Sequence, residues 1–118
     1  SRLIQIFENL IENALKFRSK ERPEVEIWAE REGGGWKFAV RDNGIGIDMR
    51  YAERIFQPLQ RLHPRSQYPG SGLGLAIGQR IIGRYGGRVW VVSEVGKGTT
   101  FYFTLPAGME AGTLHAGA

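Results

Sequence analysis

The spacing of apolar residues predicts a helix at the start of the chain and strand-like alternation after it. Apolar side chains recur every three or four positions over residues 2 to 17, which predicts an amphipathic helix. Apolar and polar residues then alternate from Val25, and again from Trp36 after the glycines at positions 33 to 35. These two runs predict an antiparallel hairpin.

The second half of the chain predicts two more helices and a second hairpin. A short helix is expected from Met49 to Phe56, followed by a long loop from Gln57 to Ser71 that contains three prolines and no period. The next helix opens on the glycines at positions 70, 72 and 74 and ends at Gly86-Gly87, which cap it. Two strands then form the closing hairpin: Val89 to Ser93 and Thr99 to Leu105.

This order of elements predicts an α+β fold, a two-layer α/β sandwich with the helices on one face of a mixed or antiparallel sheet. We place the domain at residues 1–106 and expect residues 107–118, which are small and glycine-rich, to form a disordered tail. Trp90 lies among valines and is expected in the core. Gly78 and Gly83 interrupt the last helix, so either close packing requires them or the helix is weakened.

Composition narrows the class of protein without choosing a function. With 118 residues the chain forms one domain, and with no cysteine it has neither disulfides nor thiolate metal sites. No apolar stretch is long enough to cross a membrane, so we expect a cytoplasmic protein without direct membrane contact. The net charge of +4 would suit nucleic acid, acidic lipid or a phosphorylated ligand.

The stretch PGSGLGLAIGQR, residues 69 to 80, opens a helix with the residues that favour helices least. The start of a helix exposes backbone N–H groups without intrahelical partners, and glycines allow a phosphate to approach them closely. An ordinary flexible turn would explain the same residues. The stretch alone leaves both interpretations open.

The stretch RDNGIGID, residues 41 to 48, places a carboxylate beside glycines at the end of a predicted strand. Asp42 would accept a hydrogen bond from the amino group of a purine, with the backbone of Gly44 and Gly46 bare enough for an aromatic ring. The alternative is a turn built on Asp-Asn-Gly.

Two asparagines lie one turn apart on the first predicted helix. Asn9 and Asn13 share a face beside the apolar stripe, although asparagine is a mediocre helix former. Amide oxygens are hard neutral ligands that suit Mg²⁺, and Lys16 would neutralise a phosphate nearby. The alternative is a pair of surface asparagines in an ordinary helix.

Together these stretches resemble the ATP-binding catalytic domain of sensor histidine kinases, within the superfamily of gyrase, heat-shock chaperone, histidine kinase and MutL ATPases. NLIENALKF is similar to the N box, DNGIGI to the first glycine box, IFQPLQRL to the F box and GSGLGLAI to the second glycine box. GKGTTFYFTLP is similar to the closing hairpin, and the lid QRLHPRSQYPGSGLGLA resembles those of phytochrome-type light-sensing kinases. The resemblance covers residues 2 to 106 and implies a Bergerat-type sandwich.

The resemblance implies that ATP and Mg²⁺ bind here. Asn13 would coordinate the metal, Asn9 would position it or the attacking group, and Lys16 would contact phosphate. The other matched residues would bind the nucleotide: Phe17, Asp42, Gly44, Gly46 and Thr99 at the base, and Gly70, Ser71, Gly72, Leu73, Gly74 and Leu75 at the phosphates.

The loop from Gln57 to Ser71 would be the ATP lid, with Arg61 among its phosphate contacts. His63 and Arg65 are further candidate contacts there, and Tyr68 would lie at its edge. Two positions depart from the family pattern. Leu59 stands where the F box usually has a second phenylalanine, and Ser71 stands where threonine is commoner.

The resemblance further implies a protein-histidine kinase whose γ-phosphate goes to a histidine on a separate dimerisation domain and then serves a response regulator. We expect that dimerisation domain and the strand before the N box to be missing here, and the parent to be a homodimer. Neither His63 nor His115 fits the acceptor. The alternatives are a non-catalytic nucleotide-binding module and a slow ATPase, because Asn9 replaces the glutamate that activates water in hydrolytic relatives. Nucleic-acid binding is not expected.

Overall fold

The computed structural model describes residues 2–56 and 74–106, and in them two helices pack on one face of a four-stranded sheet. The predictions for the lid and for the tail after Pro106 lie outside the described residues. The elements in chain order are α1 Arg2–Lys16, β1 Val25–Glu32, β2 Gly35–Asp42, two 3-10 turns at Met49–Tyr51 and Arg54–Phe56, α2 Gly74–Arg84, β3 Val89–Glu94 and β4 Gly98–Leu105.

The sheet has the strand order β1-β2-β4-β3, and every neighbouring pair is antiparallel. This arrangement confirms the predicted α+β class and decides for the antiparallel alternative. The strands belong to two hairpins, and the pairing of β2 with β4 joins them in one sheet. Among the described residues, no helix has the length and apolar character that a membrane crossing requires.

The core lies between the helices and the two central strands. Ile6, Leu10 and Ala14 recur every four positions on α1 and are at most 4% exposed, as the helical period requires. From the sheet, Phe103 and Val40 are the most deeply buried side chains opposite them. The sheet therefore contributes aromatic and β-branched residues to a layer that the helices cover.

The edge strand β1 is less buried than its alternating pattern suggests. Ile27 lies on the helix-facing side, directly opposite Val40, yet it is 48% exposed, whereas Val40 is 1% exposed. The helices pack over β2 and β4 and leave β1 at the margin of the core. Alternation fixes which face a side chain occupies, whereas the position of the strand in the sheet decides how deeply it is covered.

Trp90 is on the helix-free face of the sheet, so its prediction as a core residue is wrong. Its ring stacks on Tyr102 with centroids 5.3 Å apart, and the guanidinium of Arg88 lies 4.7 Å from its centroid. The neighbouring Val91 takes the core position, and successive residues of a strand point to opposite faces.

The predicted short helix from Met49 to Phe56 is also wrong, because this segment forms two separate 3-10 turns. The backbone N–H of Ala52 donates to the Met49 carbonyl three residues earlier, at 3.1 Å. Asp48 caps the first turn by accepting from the backbone N–H of Arg50 at 2.9 Å. The hydrogen bonds therefore follow the tighter three-residue spacing and do not propagate into an α-helix.

The glycines at the end of α2 differ in what they do. Gly86 has a positive φ of 79°, and the N–H of Gly87 donates to the Ile82 carbonyl at 3.0 Å, which confirms the predicted cap. A Cβ at Gly87 would overlap the Thr104 carbonyl oxygen, whereas a Cβ at Gly83 would meet nothing within 4 Å. Of the two alternatives for Gly83, the structure therefore supports a weakened helix.

We predict opposite effects of alanine at these two nearby glycines. Gly83→Ala should raise the free energy of unfolding by up to about 1 kcal/mol, since alanine favours the helix and finds open space. Gly87→Ala should lower it by about 1 to 3 kcal/mol, because the strand backbone must move away from the added methyl group. Urea unfolding of the two variants beside the parent chain measures both changes, and equal effects of the two substitutions would contradict the packing described.

Candidate functional site

The helix-facing side of the sheet ends in a row of polar side chains. Asp42, Thr99 and Ser93 are paired in register across β2, β4 and β3, and we call them the polar row. Each lies two positions from a core residue of its own strand, so all three share the face of the core. The two rows before it are largely apolar: Ala29, Phe38, Phe103 and Val89, then Ile27, Val40, Phe101 and Val91.

Asp42 takes part in a turn and still has acceptor capacity. Its Oδ1 accepts the backbone N–H of Gly44 at 2.8 Å, so the Asp-Asn-Gly turn that we weighed as the alternative is present. A carboxylate has two oxygens and about four acceptor positions, so the turn leaves room for a ligand donor. The turn and a binding role for Asp42 are therefore compatible.

Burial raises the pKa of the Asp42 carboxyl above its ordinary value, while hydrogen bonds from the backbone of Gly44 and Thr99 oppose that shift. The carboxylate is thus held in a poorly solvated position by directed donors. Because the local dielectric is low where water has little access, a hydrogen bond from a ligand to this carboxylate would be stronger than one to an exposed carboxylate.

The backbone of Ile45 joins the end of α1 to the hairpin of β3 and β4. Its N–H donates to the carbonyl of Phe17 at 3.0 Å, and its carbonyl accepts the N–H of Gly96 at 2.8 Å. These bonds bring the asparagine-bearing helix, the loop after Asp42 and the β3–β4 turn around the polar row. The sequence contains no signal for this link, because it uses backbone atoms only.

The glycines of this region allow backbones to touch. A Cβ at Gly44 would lie 2.5 Å from the Phe17 carbonyl oxygen, and one at Gly46 would overlap the Glu94 carbonyl. Gly46 also has φ at 73°. The sequence suggested that these glycines leave room for an aromatic ring. In the structure, the protein's own backbone occupies the space that a Cβ atom would need at either position.

Asn43 has a structural role that the sequence analysis did not identify. Its Oδ1 accepts the N–H of Glu24 at 2.8 Å, and its Nδ2 donates to the Arg22 carbonyl at 3.0 Å. It therefore fastens the chain that enters β1 to the loop after Asp42. An Asp-Asn-Gly motif indicates a turn, but it does not reveal which distant backbone the asparagine holds.

The predicted asparagine pair lies on the partly buried side of α1. Asn9 and Asn13 are both partly covered, whereas Glu8 and Glu12 are exposed, and so is Lys16 in the last turn. The amide groups therefore border the core, while the glutamates face solvent.

The described residues include only part of the predicted phosphate site. Gly74 begins α2, and Leu75 packs against the core. Thr99 is 8% exposed within the polar row. In the described ranges, no group of three or more histidine, cysteine or acidic residues is arranged to hold a metal. The remaining predicted contacts lie outside these ranges: Arg61, Gly70, Ser71, Gly72 and Leu73, together with the further lid candidates His63, Arg65 and Tyr68.

A family model described as histidine kinase-, DNA gyrase B- and HSP90-like ATPase matches residues 1–109. The chain belongs to this ATPase family. The match covers nearly the whole chain, so the recognition of the family is confirmed.

Curated relatives of this ATPase domain include a phytochrome and a histidine kinase. It is 56% identical over 108 residues to cyanobacterial phytochrome A of Nostoc sp., covering 92% of this chain and 14% of the relative. It is 43% identical over 106 residues to the methanogenesis regulatory histidine kinase FilI of Methanothrix harundinacea, covering 89% of this chain and 12% of the relative. The chain thus spans a small part of the length of these relatives.

Solved structures similar to the ATPase domain include the catalytic domain of a histidine kinase. Full-length ShkA in complex with AMPPNP matches with a TM-score of 0.79 and 37% identity, over 93% of this chain and 22% of that one. The nucleotide-free catalytic domain of the histidine kinase ThkA matches with a TM-score of 0.74 and 29% identity, over 90% of this chain and 66% of that one. The ATPase domain is therefore of the histidine kinase type, which confirms the predicted class of enzyme.

We predict that Asp42→Asn stabilises the nucleotide-free domain at neutral pH. A raised pKa means that the folded state holds the Asp42 proton more tightly than the unfolded chain does, so ionisation of this group lowers the free energy of unfolding. As pH rises, this loss of stability begins near the ordinary carboxyl pKa of 3.8 and is complete above the raised pKa of folded Asp42. Asparagine keeps an oxygen for the Gly44 N–H and does not ionise.

The measurement is thermal unfolding of the Asp42→Asn variant and the parent chain across acid to neutral pH. The advantage of the variant should be small in acid and should grow as pH rises through the stated window. If the stability of the variant relative to the parent instead fell from acid to neutral pH, the raised pKa of Asp42 would be contradicted.

Proposed function

We propose that this ATPase domain binds ATP with Mg²⁺ and donates the γ-phosphate to a histidine on a separate dimerisation domain of a longer protein. That protein would be a cytoplasmic homodimer that serves a response regulator. The observation that carries the proposal is the polar row, which places an acceptor-rich edge at the end of the core, beside the helix that bears Asn9 and Asn13.

Asp42 is proposed to recognise the base. Its carboxylate is fixed by the Gly44 N–H and partly withdrawn from water, so it suits the amino hydrogens of adenine better than an exposed carboxylate would. Thr99 stands directly opposite it and is proposed to hold a water shared with the base. The AMPPNP bound to the similar kinase ShkA supports an adenine nucleotide as ligand.

Asn13 is proposed as the protein ligand of Mg²⁺, with Asn9 assisting and Lys16 neutralising phosphate charge. The donor set fits this ion, because Mg²⁺ takes oxygen ligands and usually binds through one or two protein groups together with substrate phosphates and water. When bound, the ion would neutralise charge on the β- and γ-phosphates. The partial burial of both asparagines favours a fixed amide orientation.

The start of α2 is proposed as the phosphate site. This helix begins at Gly74, and its free backbone N–H groups and dipole favour an anion there. Gly70, Ser71, Gly72, Leu73 and Leu75 belong to the same proposal, as does Arg61 from the lid.

The proposed chemistry needs no nucleophile from this domain. A nitrogen of the acceptor histidine forms a bond to the γ-phosphorus, the bond from phosphorus to the β–γ bridging oxygen breaks, and ADP leaves with the electron pair. Positioning and charge neutralisation supply most of the catalysis in such transfers. This domain would contribute the donor side, and the partner domain would contribute the acceptor.

Hydrolysis of ATP by the domain alone should be slow. Asn9 cannot take a proton from water, and the nearby Glu8 and Glu12 are exposed on the solvent side of α1, whereas Asn9 is partly buried. This arrangement favours phosphoryl transfer over hydrolysis, the activity that the ATPase alternative requires.

We predict that Asp42→Ala weakens ATP binding by about tenfold to a hundredfold. The estimate corresponds to the loss of one hydrogen bond to a charged group. Calorimetric titration with ATP measures it, and Asp48→Ala is the matched control because Asp48 lies in the same loop but pairs with Arg50 at 2.8 Å. Unchanged affinity in Asp42→Ala would remove Asp42 from the base site.

We predict Mg²⁺-dependent transfer to an added histidine-bearing helical dimer. With radiolabelled ATP, acid-labile label should appear on the dimer, while the domain alone releases phosphate slowly. Asn13→Ala should reduce the gain in ATP affinity that Mg²⁺ provides. Binding without transfer to any such partner would favour the non-catalytic nucleotide module, and rapid hydrolysis by the domain alone would favour the ATPase.

A further inference from the structure

Ser93 is the most highly connected hydroxyl in the hydrogen bonds described for the polar row. Its Oγ accepts the backbone N–H of Ile47 at 2.8 Å and donates to the carbonyl of Gly98 at 2.9 Å. It also lies 2.7 Å from Oγ1 of Thr99. The loop after Asp42 and the start of β4 therefore both bond to this one oxygen atom of β3.

The proton count at Ser93 fixes the direction of its bond to Thr99. A serine hydroxyl has one hydrogen and two acceptor positions. The Gly98 carbonyl can only accept, so it takes the Ser93 hydrogen. The two acceptor positions of Ser93 then receive the Ile47 N–H and the hydroxyl hydrogen of Thr99.

This direction leaves the Thr99 hydroxyl with acceptor capacity and no hydrogen for a ligand. Its register partner on the other side is Asp42, whose carboxylate when ionised also only accepts. The polar row therefore presents two acceptors side by side. Such a pair suits an amino group, directly or through one water, and repels a carbonyl oxygen at the same place.

We propose that Ser93 is a positioning residue that sets base specificity by taking up the hydroxyl hydrogen of Thr99. The inference rests on the proposed function, in which an adenine nucleotide occupies this site. Adenine carries an amino group where hypoxanthine carries a carbonyl oxygen. Ser93 would thereby discriminate between the two bases without touching either.

The burial of the polar row makes the direction of this bond consequential. Thr99 is 8% exposed and Ser93 is partly buried, so bulk water has little access to either hydroxyl. In a poorly hydrated site, an acceptor of the ligand that faces an acceptor of the protein cannot bond to water instead. The site therefore binds a base with a mismatched acceptor more weakly than a base with a donor at the same place.

The test compares the affinities of ATP and inosine triphosphate for the parent chain and for Ser93→Ala. Loss of Ser93 frees the Thr99 hydroxyl to turn its hydrogen toward the base. The preference for ATP over inosine triphosphate should therefore narrow by about fivefold to tenfold, the equivalent of one neutral hydrogen bond. Asp42 is retained, so part of the preference should remain.

Two further variants separate positioning from a general loss of structure. Ser93→Thr keeps the hydroxyl and should keep the preference. Thr99→Val removes the oriented group, and in that background Ser93→Ala should cause no further change in the ratio of the two affinities. This double-mutant comparison does not depend on the absolute affinity of any variant.

Each outcome has a distinct meaning. Equal weakening of both nucleotides by Ser93→Ala, with an unchanged ratio, would overturn the inference and leave Ser93 a purely structural link. An unchanged ratio in Thr99→Val would overturn it as well, and would remain informative if Ser93→Ala failed to fold. Failure of the parent chain to bind ATP at all would instead contradict the proposed function.

Discussion

A partly buried carboxylate ends the apolar face of the sheet, and the surrounding backbone is arranged to hold it there. Asp42 continues the face that buries Val40, so it is withdrawn from water by the same packing that forms the core. The backbone N–H of Gly44 and the register with Thr99 then fix its position. The fold thus makes a poorly hydrated acceptor, and we propose that a ligand donor completes its hydrogen bonds.

That arrangement explains why the loop after Asp42 approaches the other segments so closely. Ile45 is bonded to both the end of α1 and the β3–β4 turn, and the absence of side chains at Gly44 and Gly46 permits the approach. The loop therefore holds elements that are far apart in sequence around one edge of the sheet. Because burial raises the pKa of Asp42, its ionised form lowers the stability of the folded domain in the same place where we propose that it serves binding.

Much of this architecture was predictable, because periodicity reports local structure well. The helical stripe of α1, both hairpins and the glycine cap of α2 have direct signals in the sequence, and the motif order identified the family. The errors have a common physical origin. The burial of Trp90 depends on which face of β3 packs against the helices. The conformation of the segment from Met49 to Phe56 depends on whether its turns continue into an α-helix, and tertiary packing decides both.

The parts of the site that the sequence did not predict involve backbone atoms or proton direction. No residue pattern indicates that the Ile45 backbone joins two elements, that Asn43 holds the chain before β1, or that Ser93 takes up the hydrogen of Thr99. Each follows only from the register of the strands and the distances between atoms. The motifs locate the site, and these contacts account for its acceptor character.

Nuclear magnetic resonance of the ¹⁵N-labelled domain during titration with ATP would show whether the nucleotide binds at the polar row. The amide signals of Gly44 and Thr99 should shift most in the described part of the chain, while the indole signals of Trp28 and Trp90 should hardly move. Saturable ATP binding that shifts the signals of the helix-free face and leaves Gly44 and Thr99 unchanged would contradict binding at the polar row.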